Sequence, residues 1–224
     1  MEKLLLMIIG LSLLMSGCTH KNKTDVTKRS SLVDLYRNAM EDYNNHRYNQ
    51  AINKFKIIIF QYPGSNKMEE AQFYIGESYF NMKKYTDAIN EYSFLVNSFV
   101  GSKYVKDAKF KIAVCYYYLS PPPTLDQTDT HRAEDMFNEY LELYPDSPEA
   151  DSARAMIQKC RLKYLKKTLN TARFYYKLGK YESAKIYIEK ARNMKDHDLV
   201  IDEINALLKK INRKLKKHKS KFGE

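Results

Sequence analysis

The chain has 224 residues, with 7 Gly and 6 Pro, and its 38 Lys and Arg against 27 Asp and Glu give a formal net charge of +11. So few Gly and Pro residues, concentrated at turns, favour an all-helical chain and argue against a fold made of many short elements joined by turns. The basic excess fits anionic partners, such as nucleic acid or phospholipid head groups, but an ordinary solvated surface explains it equally well.

The N-terminal residues predict a signal peptide. Lys3 is followed by an apolar run, residues 4–15, which is shorter than the about 20 residues that a membrane-spanning helix needs. Residues 1–17 therefore indicate a secretory signal, and the small residues before Cys18 are typical of a cleavage site. Residues 18–31 are polar and lack apolar periodicity, which predicts a flexible tether.

The segment Ser16-Gly17-Cys18 resembles the lipobox of bacterial lipoproteins, with Met15 where Leu is usual. The resemblance implies that Cys18 is lipidated once the signal is removed, and that the acyl chains hold the protein at a membrane. The next residue, Thr19, is not acidic, so the inner-membrane retention signal of these lipoproteins is missing, which implies the outer membrane. A plain signal peptide with an incidental cysteine is the alternative.

One pattern of aromatic and small residues occurs twice in residues 35–102, 37 positions apart. Its members are Tyr36, Ala39, Tyr43, Ala51, Phe55, Tyr62 and Ser65, matched by Phe73, Gly76, Phe80, Ala88, Tyr92, Phe99 and Ser102. The series continues at Phe110, Ala113 and Tyr117 and, after an insertion, at Ala133, Phe137, Tyr144 and Ser147. A fixed period of this size is typical of repeat architectures.

Each unit resembles the tetratricopeptide repeat. A small residue is followed by Ala twelve positions later, as in Ala39/Ala51, Gly76/Ala88 and Ala172/Ala184. Small side chains let two antiparallel helices approach closely, and large residues such as Phe55 and Tyr92 then fill the space between repeats. The usual period is about 34 residues, so three extra residues fall in the inter-repeat turns, where Ser65, Ser102 and Ser147 are expected as helix N-caps.

The predicted fold is an all-α tetratricopeptide-repeat solenoid of antiparallel helix pairs, with about four repeats plus a capping helix. Repeats 1 and 2 occupy residues 32–105, and repeat 3 occupies residues 106–147, with a Pro-rich loop at residues 120–130 that is expected to project from the fold. Repeat 4 occupies residues 148–197 and contains one long helix, because no breaker interrupts its apolar stripe as far as Leu178. Residues 198–224 form a capping helix and a basic tail.

No segment has the residues of an active site. The five His are scattered, and neither a phosphate-binding Gly loop nor a nucleophile motif is present. We therefore expect no catalytic residue, no metal and no cofactor. Cys115 and Cys160 fall on apolar helices and are expected to be buried, although an oxidising compartment would also permit a disulfide between them.

A binding surface is the remaining candidate for a functional site. In tetratricopeptide solenoids the first helix of each pair lines the concave face, which here carries two rows of aromatics. The predicted peptide-binding groove contains Tyr36, Phe73 and Phe110, then Tyr43, Phe80 and Tyr117, with Asn44 and Asn81 one residue past the second row. Its aromatic lining and amides suit an extended segment with alternating aromatics and a free carboxylate. Alternatively, these aromatics only pack one repeat against the next.

The lipobox, the tether, the 37-residue repeats, the long fourth-repeat helix and the looped-out segment Asp126-Gln127-Thr128 together resemble the BamD (ComL) family. These are lipoproteins of the machine that folds β-barrels into the outer membrane. The resemblance covers residues 18–206 and implies that the N-terminal repeats receive unfolded outer-membrane proteins by their C-terminal aromatic signal. It also implies that the C-terminal half docks on the barrel-forming subunit, BamA. Tyr187 falls near the place where the family carries a basic residue for that contact.

This resemblance predicts a non-enzymatic scaffold, anchored by lipid at the periplasmic face of the outer membrane, with no nucleic-acid partner. A different class of function stays open: a generic periplasmic lipoprotein adaptor that tethers cell-wall enzymes. A glycan-binding lipoprotein is disfavoured because the chain has no Trp. The basic tail beyond Lys209 either meets anionic lipid or is simply solvated.

Overall fold

The structure, a computed structural model, describes residues 31–222, so the predicted signal peptide, Cys18 and the tether as far as residue 30 lie outside the described residues. Within residues 31–222 the chain forms nine α-helices, one 3-10 turn and no β-strand. The helices are α1 (Leu32–Asn44), α2 (Tyr48–Gln61), α3 (Met68–Asn81), α4 (Tyr85–Ser98), α5 (Val105–Leu119), α6 (Thr128–Leu143), α7 (Ala150–Lys177), α8 (Tyr181–Arg192) and α9 (Ile201–Phe222). None of these helices is both long and apolar enough to cross a membrane.

Each helix packs against the helices that precede and follow it in the sequence. Buried apolar side chains form four successive clusters instead of one central core: in α1–α3, in α4 and α5, in α5–α7, and in α7–α9. Each repeat therefore depends on its immediate neighbours for burial, which is the organisation of a solenoid. The all-α tetratricopeptide-repeat prediction is confirmed.

The small residues predicted at helix crossings are buried. These are Ala39, Ala51, Gly76, Ala88, Ala172 and Ala184. The large residue four positions after each second Ala is also inaccessible to solvent, as Phe55, Tyr92 and Ile188 show. Phe55 stacks on Tyr74 of the next repeat with 5.7 Å between ring centroids, so this side chain joins consecutive repeats.

Three turns within repeats end the first helix in the same way. His46, Lys83 and Gly179 each have a positive φ, of 59°, 60° and 71°. In the first repeat, the N–H of His46 donates to the Tyr43 carbonyl (3.0 Å), and the following N–H donates to the Asp42 carbonyl (2.8 Å). The same two bonds recur in the other turns, and together they are the Schellman motif, which satisfies the last helical carbonyls.

The serines predicted as N-caps do not cap helices. Each lies three residues before a helix, and its backbone carbonyl accepts a hydrogen bond from the first helical N–H. The three contacts are Met68 N to Ser65 O (3.1 Å), Val105 N to Ser102 O (3.1 Å) and Ala150 N to Ser147 O (3.0 Å). The prediction was wrong because the backbone turn supplies this bond, while the hydroxyl of Ser147 accepts a bond from the Tyr140 hydroxyl (2.9 Å) instead.

The loop in repeat 3 is shorter and more tightly held than predicted. Helix α6 begins at Thr128, so the loop spans residues 120–127 and not 120–130. The amide of Gln127 is buried and donates to the carbonyls of Pro122 (3.0 Å) and Leu125 (3.1 Å). This amide therefore holds the end of the loop together before α6, while Pro122 and Leu125 are exposed.

The fourth repeat contains the expected long helix, since α7 runs for 28 residues. Its second half packs with α8, and α8 packs with α9. The last helix begins at Ile201, three residues later than expected, because His197–Val200 form a 3-10 turn.

Candidate functional site

Helices α1, α3, α5 and α7 are the first helices of their repeats and are called here the A helices. The second predicted aromatic row lies near the C-terminal ends of α1, α3 and α5 and contains Tyr43, Phe80 and Tyr117. All three rings are half-buried. Each is bridged to the next A helix by a polar or cationic side chain, so the three rings and their bridges connect the A helices of four repeats.

The first bridge joins α1 to α3. Asn81 Nδ2 donates to the hydroxyl oxygen of Tyr43 (3.1 Å) and to the Glu77 carbonyl (2.9 Å). The Tyr43 ring also meets the Tyr74 ring edge-on, with centroids 5.0 Å apart. Burial raises the pKa of the Tyr43 hydroxyl to about 12, so it remains a neutral hydrogen-bonding group at physiological pH.

The second bridge joins α3 to α5. Lys111 Nζ lies 4.5 Å from the centroid of the Phe80 ring and forms an ion pair with Glu77 Oε1 (2.7 Å). The same carboxylate accepts a hydrogen bond from the hydroxyl of Tyr92, which is fully buried. Glu77 therefore links the Lys111 ammonium group, which lies over the Phe80 ring, to the buried Tyr92 of the second repeat.

The third bridge joins α5 to α7. Lys163 Nζ lies 4.6 Å from the centroid of the Tyr117 ring and donates to the carbonyl (3.1 Å) and to the hydroxyl of Ser120. Next to Tyr117, the ring of Tyr118 is 53% exposed and also contacts Phe80, with centroids 6.0 Å apart. Tyr118 thus makes the aromatic surface continuous between the second and third repeats.

The first predicted row lies about two turns nearer the N-terminal ends of the same helices. Tyr36, Phe73 and Phe110 are half-buried and contact the second helix of their own repeat. Phe73, for example, lies 5.8 Å from the Tyr92 ring and stacks on the Tyr104 ring at 5.0 Å, centroid to centroid. These three rings therefore take part in packing between helices, and their place in a peptide-binding groove stays a prediction.

Glu70 ties this first row together. Its carboxylate accepts a hydrogen bond from Lys67 Nζ (2.7 Å) and further hydrogen bonds from the hydroxyls of Tyr36 and Tyr104. Burial raises the pKa of Glu70, but these hydrogen bonds outweigh that effect and leave the pKa below its ordinary value. Lys67 Nζ also lies 4.1 Å from the Tyr36 ring centroid, so the cluster holds the start of three repeats together.

The two asparagines predicted to pair with a peptide backbone differ from one another. Both amide hydrogens of Asn81 are used within the protein, by Tyr43 and Glu77, so only its oxygen is available as an acceptor. Asn44 is exposed and lines an open depression on α1 with Tyr36 and Met40. The difference follows from position, since among the described residues no repeat precedes α1 that Asn44 could bridge.

The two described cysteines are free and buried. Burial raises the pKa of each thiol to about 12. Cys115 belongs to the cluster of α4 and α5, whereas Cys160 belongs to the cluster of α5–α7. They act as small apolar residues, and the disulfide left open above does not form in the described structure.

The side of the solenoid formed by the second helices carries a separate apolar groove. Phe60 and Phe94 are 85% and 50% exposed and flank it, with Ile59 and Ile75 also in its lining. Sequence analysis did not single out these residues, because exposed apolar side chains share no spacing that distinguishes them from buried ones.

Lys111, Lys163 and Glu77 were also missed. Glu77 and Lys111 lie 34 residues apart, and their pairing depends on how α3 and α5 stack. The repeat pattern offered no signal for this ion pair, because the positions equivalent to Glu77 are Met40 in the first repeat and Val114 in the third. Among residues 31–222, no group of His, Cys, Asp and Glu is arranged to hold a metal ion. The row presents aromatic faces, an ammonium group and hydrogen-bond acceptors, which suit non-covalent binding.

Comparison with known proteins gave one family match and several structural neighbours. The model of a family described as "YfiO: Outer membrane lipoprotein" matches residues 28–220. The chain is similar to a tetratricopeptide repeat protein from Parabacteroides merdae, at 14% identity over 79% of this chain and 70% of that one, with a TM-score of 0.43. It is also similar to a thermophilic tetratricopeptide repeat protein from Thermus thermophilus, at 15% identity over 80% of this chain and 99% of that one, with a TM-score of 0.41.

Proposed function

Because the chain belongs to the YfiO outer membrane lipoprotein family, we propose that it is a non-catalytic scaffold subunit of the machinery that assembles β-barrel proteins in the outer membrane. In this role it binds unfolded barrel precursors and the barrel-forming subunit. Cys18 carries the lipid, and the repeats lie on the periplasmic face.

The observation that carries this proposal is the row Tyr43, Phe80, Tyr118 and Tyr117 across successive A helices. In an outer-membrane barrel strand, outward apolar residues alternate with inward polar ones. When the strand is unfolded, its aromatic side chains therefore occur at alternate positions. Such an extended segment can lay alternate side chains on a row of half-buried rings.

The binding is expected to be reversible. An extended precursor loses conformational entropy when it docks, so only part of the contact energy appears as affinity. Modest affinity suits a subunit that passes its client to another protein. No covalent step is required of the scaffold.

The resemblance to the BamD family also supports docking of the barrel-forming, BamA-like subunit on the C-terminal half. Tyr187, near the position where the family carries a basic residue, stacks on Tyr175 with centroids 5.3 Å apart and an interplanar angle of 14°. A partner would therefore meet a fixed aromatic pair here in place of a charge.

The test is to isolate the lipidated protein from membranes and identify what co-purifies, and to deplete it in parallel. A scaffold of barrel assembly should retain the barrel-forming subunit, and its loss should lower the levels of many barrel proteins together. Changed cell shape or division with unchanged barrel levels, and co-purifying wall enzymes, would instead support the adaptor that tethers cell-wall enzymes.

A further inference from the structure

Lys163 is a partly buried cation at the end of the aromatic row. Its ammonium group contacts Ser120 and the Tyr117 ring, and within residues 31–222 no carboxylate lies at ion-pair distance from it. By contrast, Lys111 pairs with Glu77 (2.7 Å) and Arg161 pairs with Glu134 (2.7 Å).

This arrangement leaves a charge without compensation. Withdrawing an ammonium from water disfavours its charged form unless an opposite charge is near. Burial accordingly lowers the pKa of Lys163. The hydroxyl and carbonyl oxygens of Ser120 occupy two of its three N–H donors, so one donor remains for a further acceptor.

The position of Lys163 indicates which anion it would meet. It stands at the α7 end of the aromatic row, directly beside Tyr117, whose ring contacts the exposed ring of Tyr118. An aromatic residue seated against these rings would bring its own backbone to the ammonium group. If that residue is the last of its chain, its backbone ends in a carboxylate.

We propose that Lys163 receives the terminal carboxylate of the bound peptide, whose final aromatic side chain packs against Tyr117 and Tyr118. This site rests on the proposed function and specifies the end of the ligand that is recognised. The peptide then runs from Lys163 towards Phe80, with its last residue in the third repeat. A charge-assisted hydrogen bond at this point selects chain ends over internal segments.

The test uses the protein purified from membranes in detergent and two synthetic peptides of a barrel strand. Both end in Phe, one with a free carboxylate and one with a C-terminal amide. On the wild type the amide should bind about tenfold more weakly than the acid, as expected for loss of a hydrogen bond between charged groups. On Lys163→Met the two peptides should bind alike, because the group that distinguishes them is gone.

Two further variants separate this site from a general charge effect. Lys163→Arg should keep the preference for the acid, and Lys159→Met, which removes an exposed charge one turn away on α7, should leave it unchanged. Circular dichroism establishes that each variant is folded. If the wild type binds acid and amide equally, or Lys163→Met keeps the preference, the carboxylate site is overturned while the proposed function stands. If neither peptide binds the wild type, the proposed function fails and this site with it.

Discussion

Gly76 on α3 and Tyr92 on α4 are in direct contact at the crossing of the second repeat. A Cβ added to Gly76 would lie 2.5 Å from Cε1 of the Tyr92 ring, closer than side-chain carbons pack. The ring is fully buried, and its hydroxyl is held by Glu77, so it has no free direction in which to move. The small residue at this position therefore sets how closely the two helices approach.

Gly76→Ala should destabilise the protein. Alanine favours a helix over glycine by about 1 kcal/mol, but overpacking a full core costs about 1–3 kcal/mol, so we expect a net loss of up to about 2 kcal/mol. Urea denaturation measures the free energy of unfolding. Gly101→Ala is the matched control, because no atom lies within 4 Å of its added Cβ. A Gly76→Ala variant as stable as the wild type would show that the helix crossing can accommodate the extra methyl group.

Lys83→Gly should stabilise the protein. Lys83 has a φ of 60° in the Schellman turn of the second repeat, whereas the equivalent turn of the fourth repeat has Gly179. A left-handed backbone is unfavourable for residues with a Cβ, and we expect a gain of about 0.5–1 kcal/mol after the flexibility of glycine is counted. Thermal unfolding tests this, with Lys84→Gly as control, since Lys84 has a φ of −85° and should gain nothing.

Asp42 should make stability depend on acid pH. Its side chain is 5% exposed and contacts Lys54 Nζ (2.5 Å) and Arg47 Nε (2.7 Å). The hydrogen bond from Lys54, with that from Arg47, holds the pKa of Asp42 below its ordinary value. The stabilisation is therefore complete above about pH 4, the unfolded value, and is lost as the pH falls through the lower folded pKa.

Asp42→Asn should accordingly be less stable than the wild type by about 1–2 kcal/mol at pH 7. The loss is not larger because Lys54 and Arg47 are partly exposed, and solvent screens their charges. The difference should shrink as urea denaturation is repeated at successively lower pH. Asp151→Asn provides the comparison, because the Asp151 side chain is 98% exposed and its pair with Arg154 should contribute little. A gap between wild type and Asp42→Asn that is constant down to pH 2 would contradict the assigned ion pairs.

The thiols should be protected in the folded protein. Since burial raises the pKa of Cys115 and Cys160 to about 12, neither forms much thiolate at pH 8, and iodoacetamide should not react. In urea both should react, which adds two adducts by mass spectrometry. A third adduct in urea would mean that Cys18 is unmodified and that the lipid anchor is wrong. Adducts that appear in urea only after reduction would reveal a disulfide.

The repeat architecture was predictable because its signal is local and recurs. Ala39 and Gly76 lie where two helices cross closely and only a small residue fits, whereas Phe55 and Tyr92 fill the space between repeats. Small and large residues therefore recur every 37 positions, and this spacing is visible in the sequence. The inter-repeat serines were misassigned for a related reason. A serine before a helix has the same local appearance whether its side chain or its backbone carbonyl supplies the bond.

The candidate site was predictable only in part. The aromatic rows follow from the period, but the distinction between them depends on contacts between repeats. Phe73 is held against Tyr104, whereas Phe80 is covered by Lys111, and neither contact follows from sequence spacing. The unpaired charge of Lys163 depends on the approach of α7 to the end of α5, which only the folded chain shows.

The central claim is that the A helices bind an extended aromatic peptide, and the affinity of one peptide for two variants tests it most directly. A barrel-strand peptide that ends in Phe should bind the wild type, and Phe80→Ala should weaken it by about tenfold, as expected for loss of an aromatic anchor. Phe94→Ala removes an equal ring from the other side of the solenoid and should leave the affinity unchanged. No binding to the wild type, or equal affinity for the wild type and Phe80→Ala, would contradict the account.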